Sequence, residues 1–72
     1  MTADEAIKWV GKEIIVSYDD DTGERCTAAG KVDKLFNIDW PDSNGLVTYF
    51  SFDDGTGIRI DAHNLTVQEA LQ

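Results

Sequence analysis

The sequence predicts a mainly β fold: a small, strongly bent antiparallel barrel of five strands with a short N-terminal α-helix. Three observations carry that expectation. Residues 46–52 alternate, with Leu46, Thr48, Phe50 and Phe52 on one face and Val47, Tyr49 and Ser51 on the other, which is the period of a strand. Asp53-Asp54-Gly55-Thr56-Gly57 breaks the run with turn-forming residues, and Ile58 and Ile60 then resume on one face with Arg59 and Asp61 on the other, completing a hairpin. Residues 25–36 read as one long strand with Gly30 inside it, which marks a bulge or sharp bend. A strand bent in that way serves both halves of a small barrel.

The elements follow in order. Thr2 and Glu5 have the spacing of a capping box, and Asp4 and Glu5 suit the positive end of a helix dipole. Ala3, Ala6, Ile7 and Val10 fall at helical spacing, and Gly11 can take the left-handed position that ends a helix. A helix over about residues 3–10 is predicted, too short to persist unless it docks, with Trp9 helping it to do so. Residues 13–18 form the first strand, with Ile14, Val16 and Tyr18 on one face and Ile15 on the other. Residues 19–23 are a loop, and the long strand follows with Cys26, Ala28, Gly30 and Val32 on one face. Asn37-Ile38-Asp39-Trp40 continues as a short strand or extended arm, and residues 41–45 are a dense turn signal. Beyond the hairpin, residues 61–64 read as a tight turn, Leu65-Thr66-Val67 as a short closing strand and residues 68–72 as a frayed tail. The expected core is Ile14, Val16, Val32, Phe50, Phe52, Ile58 and Ile60. The whole span, 1–72, is expected to be a single domain.

Composition bounds the function. Fourteen acidic residues against six basic ones give a formal charge of −8. A field of that sign repels nucleic-acid phosphates and anionic membrane surfaces and favours basic partners, besides keeping a small protein soluble. No apolar run approaches a membrane span, and the acidic start lacks the features of a signal peptide, so a cytoplasmic location is expected. Cys26 is the only cysteine, which leaves no internal disulfide and no thiolate-based zinc site.

Three short stretches resemble the SH3-like small-barrel superfamily, which spans SH3, Tudor, Sm-like and KOW-containing modules. Val16-Ser17-Tyr18-Asp19-Asp20 resembles the start of an SH3 domain, where a strand ends in Tyr-Asp before a long loop. Gly30-Lys31-Val32 resembles the mid-barrel strand of KOW and Sm-like barrels, and residues 60–67 resemble the turn-then-strand ending of SH3 domains. The likeness covers roughly residues 11–67 and implies an SH3-like five-stranded barrel. It departs where function would sit. An SH3 peptide groove has a proline before an Asn-Tyr pair near the end, and here Ala62, His63, Asn64 and Leu65 stand there; Trp40 is followed by Pro41, not by a second tryptophan. A nucleic-acid surface would carry a basic stripe, whereas acids outnumber Lys12, Lys31 and Lys34. The departures speak against proline-peptide binding and against RNA binding.

Each candidate site has a structural counter-reading. The loop from Asp19 places Gly23 fifth and Gly30 twelfth, which fails the calcium-loop pattern of glycine sixth and glutamate twelfth. A looser carboxylate site shared with Asp53 and Asp54 is the remaining metal reading, against a solvated turn. His63 with Asp61 nearby could form part of a general base, but no nucleophile motif accompanies it, so no enzymatic activity and no cofactor are expected. Asn64-Leu65-Thr66 matches a glycosylation sequon, with nothing to suggest secretion. Tyr18, Trp40 and Tyr49 at strand ends suit contact anchors, against ordinary core and rim packing. The expectation is therefore a non-catalytic interaction module that binds a protein partner of basic character. Its expected contact set is Tyr18, Asp19, Asp20, Asp21, Asp39, Trp40, Asp42 and Tyr49. The alternatives are an acidic DNA mimic of the phage-inhibitor type and, behind it, a carboxylate metal-binding domain.

Overall fold

In the computed structural model the described residues are 1–42 and 45–70. Ser43 and Asn44 of the predicted turn, and Leu71 and Gln72 of the predicted tail, lie outside them. The chain opens with α1 (Ala3–Ala6), followed by a 3-10 turn over Ile7–Trp9. Five strands follow: β1 (Glu13–Asp19), β2 (Arg25–Asp39), β3 (Leu46–Phe52), β4 (Gly57–Arg59) and β5 (His63–Glu69). They form one antiparallel sheet in the order β4-β3-β2-β1-β5.

The capping box forms: Thr2 Oγ1 accepts from the Glu5 amide at 3.2 Å and the Glu5 carboxylate accepts from the Thr2 amide at 3.4 Å. Gly11, at φ +87°, supplies the left-handed residue that turns the chain into β1. The predicted apolar stripe does not form. Ala6 is fully buried and Trp9 packs against the core, but Ala3 is exposed, Ile7 is 63% exposed and Val10 37%. Tightening to three residues per turn after Ala6 brings Trp9, not Val10, onto the face of Ala6.

β2 is a single strand of 15 residues, longer than the predicted strand because the Asn37–Asp39 arm is part of it. Its first half pairs with β1, from Arg25 opposite Asp19 to Lys31 opposite Glu13. Its second half pairs with β3, from Val32 opposite Phe52 to Asp39 opposite Leu46. The irregularity lies at Asp33 rather than Gly30: Val32 faces Phe52 and Lys34 faces Ser51, leaving Asp33 as the extra residue. One extra residue inverts the alternation. Ala28 and Val32 face the core before the bulge, and Leu35, opposite Phe50, faces it afterwards. Phe36 and Ile38 are thereby sent to the outer face beside Tyr49 and Val47.

The core is the one expected. Ile14, Val16, Val32, Phe50, Phe52, Ile58 and Ile60 are buried together with Ala6, and Tyr18, Ala28, Leu35, Leu65 and Val67 pack against them. Ile60 is a turn residue just past β4, yet it is 6% exposed and its amide donates to the Thr48 carbonyl at 3.1 Å.

Further expectations need correction. The sheet is not closed: β4 and β5 are its edges, so the bent sheet stops short of a barrel. The β4 edge is only three residues long. The closing strand is also longer than expected and the tail is not frayed through Ala70. β5 stays in register with β1 to Glu69, and the Ala70 amide donates to the Glu13 carbonyl at 2.9 Å. Ladder bonds are made by backbone, so polar Gln68 and Glu69 are held as firmly as apolar residues would be. The predicted turn over residues 61–64 is also shorter than expected: His63 and Asn64 already belong to β5, and His63 stands opposite Asp19.

Candidate functional site

The predicted contact residues converge only in part, and the hydrogen bonds decide which of them are available. Asp19 ends β1 beside the irregular start of β5. Asn64 and Leu65 together oppose Tyr18, and Asn64 takes φ +52°. In that conformation the Asn64 side-chain amide donates to Asp19 Oδ2 at 2.6 Å. Arg25 donates to Asp19 Oδ1 at 3.1 Å, to the Asn64 carbonyl at 2.7 Å and to Thr66 Oγ1 at 3.2 Å. The Asn64 bond and then the Arg25 bond hold the Asp19 carboxyl below the usual carboxylate range. Asp19 is thus the centre of a clasp joining β5 to the β1–β2 hairpin.

Asp20 is likewise occupied. Its Oδ1 accepts from the Thr22 amide at 2.9 Å, the Thr22 hydroxyl at 2.6 Å and the Glu24 amide at 2.9 Å. These bonds, Thr22 first, lower its pKa and close the loop. The Cys26 thiol lies 3.7 Å from Asp20 Oδ2; burial first, and then the Asp20 charge, push that thiol up. Asp54 and Thr56 repeat the Asp-x-Thr device in the β3–β4 turn, where Asp54 Oδ1 accepts from the Thr56 amide at 3.0 Å and its hydroxyl at 2.6 Å.

Two adjoining grooves hold most of the remaining candidates. The first, about 620 Å³, is lined by Tyr18, the three successive aspartates 19–21, Tyr49, Arg59, Asp61 and His63, among others. The second, about 650 Å³, is lined by Trp40, Asp42, Leu46, Val47, Tyr49, Arg59 and Asp61, with Gly45. Tyr49, Arg59 and Asp61 form the wall they share. Arg59 stands opposite Tyr49 in the β3–β4 ladder and grips Asp61 through two bonds, Nε to Oδ1 at 2.8 Å and Nη2 to Oδ2 at 2.9 Å. That grip raises the Arg59 pKa, lowers that of Asp61, and Asp21 adds to the field at Arg59.

The bulge turns Phe36 outward, onto the ring of Tyr49 that lines both grooves. Phe36 and Tyr49 stack with centroids 5.0 Å apart and planes 9° apart. Val47 is buried beside them although it lies outside the main core. The Trp40 indole N–H donates to Tyr49 Oη at 2.8 Å, which sets the indole at the groove edge, where Trp40 is 44% exposed. Of the expected set, Tyr18, Asp21, Trp40, Asp42 and Tyr49 come together around the grooves, and Asp19 and Asp20 line one while being committed to the fold. Asp39, exposed and opposite Leu46, lines neither.

Arg59, Asp61 and Phe36 were not in the expected set. The alternation of the hairpin places Arg59 and Asp61 on the face opposite Ile58 and Ile60, the same face as Tyr49, so that signal was present. Phe36 had none, since the bulge that turns it outward is not written in the residue types. The carboxylates at residues 19–21 do not join Asp53 and Asp54: among the described residues no three His, Cys, Asp or Glu side chains gather as a metal site. No helix among them is long and apolar enough to cross a membrane. The chain matches no family model, and no curated protein or solved structure matches it significantly.

Proposed function

We propose that this is a non-catalytic interaction module on an SH3-like scaffold, and that it binds a basic segment of a protein partner along the two adjoining grooves. The observation that carries the reading is the shared wall. Tyr49 stands between Tyr18 on one side and Trp40 on the other, with four aspartates against one arginine in the first groove. An exposed tryptophan and two half-buried tyrosines beside carboxylates suit an arginine or lysine side chain through cation–π contact and charge pairing. Asp21 and Asp42 supply the charge, one in each groove, while Asp19 and Asp20 shape the loop that presents Asp21. Rim charges chiefly speed association, and the rings supply most of the affinity.

Mimicry of nucleic acid would require carboxylates in rows at phosphate-like spacing. Asp19 and Asp20 are tied into turns, and Asp53 and Asp54 line neither groove, which favours the module over the decoy.

The test is titration of the isotope-labelled domain with a short arginine-containing peptide, followed by amide chemical shifts and Trp40 fluorescence. Shifts should cluster at residues 18–21, 40, 49 and 59–63, weaken with added salt, and require roughly tenfold more peptide in Trp40→Ala. Equal affinity in a folded Trp40→Ala variant, or shifts scattered away from the grooves, would overturn the reading.

A further inference from the structure

We infer that the outer edge of β5 is a pairing surface for a second copy of this chain, joined strand to strand in antiparallel fashion. The Ala70 amide bonds the Glu13 carbonyl, which fixes the phase of the β1–β5 ladder. Residues 66 and 68 therefore turn their backbone groups toward β1, and residues 65, 67 and 69 turn theirs outward. Among the described residues no strand pairs with that edge.

The two sheet edges are built differently. β4 is three residues long and carries Arg59, so it offers little to a partner. β5 presents Leu65-Thr66-Val67-Gln68, uncharged, free of proline and glycine, and past the irregularity at Asn64. Ionisable side chains occur only near its two ends, with His63 at one and the carboxylate of Glu69 at the other. Parallel pairing would set Glu69 beside Glu69 of the second copy. Antiparallel pairing carries each Glu69 toward the opposite end, where His63 stands, and sets Leu65 and Val67 of the two copies on one face with Thr66 and Gln68 on the other. Arg25, held on Thr66 and paired with Asp19, and Lys12, 3.5 Å from Glu69, offset the carboxylates beside this strand, so that an acidic second copy meets less repulsion along it than the net charge of the molecule implies. A second copy is thus the occupant that fits, and it is held back by a charge of −8 on each chain.

Sedimentation of the full chain up to millimolar concentration, at low salt and at about 0.5 M NaCl, tests this. Screening should lower the dimer dissociation constant by about tenfold. Val67→Pro removes an outward amide without touching the β1 ladder, and should remain monomeric, with a melting temperature lowered only by the core contact that Val67 gives up. Should that variant fail to fold, hydrogen exchange on the wild-type chain still decides: the Leu65, Val67 and Glu69 amides should gain protection as concentration rises, while those of Thr66 and Gln68 stay as they were. A wild-type chain monomeric throughout, a folded Val67→Pro chain that dimerises equally well, or protection independent of concentration would overturn the proposal.

Discussion

Gly30 is the residue where a single methyl group would decide the packing. A Cβ built there falls 3.1 Å from Phe52 Cδ1 and 3.5 Å from its Cγ, and Phe52 is only 3% exposed. The glycine is a gap that the Phe52 ring fills. Gly30→Ala should cost about 1–3 kcal/mol by overpacking, read as a lower denaturation midpoint with an unchanged slope. Phe50, fully buried against Ile58 and Leu35, is the converse case. Phe50→Ala should cost about 3–5 kcal/mol, a large share of the 5–15 kcal/mol typical of small domains. A Phe50→Ala chain melting within a degree or two of wild type would refute that core assignment. Core positions were legible because alternation reports burial directly. The role of Gly30 was half legible: glycine in a strand signals either a bulge or a close approach, and only the position of Phe52 distinguishes them.

Among the elements, β5 depends most on charged side chains. Asp19 joins Asn64 and Arg25, and Arg25 reaches Thr66, so the clasp crosses three strands. Asp19, Asp20, Asp54 and Asp61 all titrate below their ordinary value of 3.8 in the folded chain. An unfolded chain then binds more protons than the folded one as the pH falls. Stability from these groups is complete above the unfolded value and is lost as the pH drops through the folded ones. The melting temperature should hold near neutrality and fall below about pH 4. Asp19→Asn should flatten part of that fall and loosen β5 first, seen as faster exchange of the amides facing β1. A pH profile identical to wild type would mean that the clasp contributes nothing. None of this was readable beforehand. Sequence marks residues 19–23 as a loop, but Asn64 and Arg25 come to Asp19 from 45 and 6 positions away. The bulge at Asp33 was equally hidden, and with it the outward turn of Phe36 that backs Tyr49.

At the scale of the whole molecule, the charge of −8 sets what can be told from cation binding. So many carboxylates attract any cation diffusely, and screening by salt alone should raise stability somewhat by easing self-repulsion. Specific calcium binding would need six or more oxygens converging on one point. The acids do not converge. Asp19 and Asp20 spend their oxygens on Arg25, Asn64, Thr22 and Glu24, Asp54 on Thr56, and Asp61 on Arg59. Asp21 and Asp42 lie in different grooves, on either side of the Tyr49–Arg59–Asp61 wall. Millimolar calcium should therefore shift the melting temperature no further than sodium chloride of equal ionic strength. A site that binds only the folded chain would add stability as the logarithm of calcium concentration, about 2.7 kcal/mol at a hundred times its dissociation constant, which is several degrees for a domain of this size. A rise of that size with calcium and not with sodium would show that the turns rearrange to share a cation. It would also reassign Asp19 and Asp20 from structural bonds to ligands, a change that the Asp19→Asn variant would report by abolishing the rise.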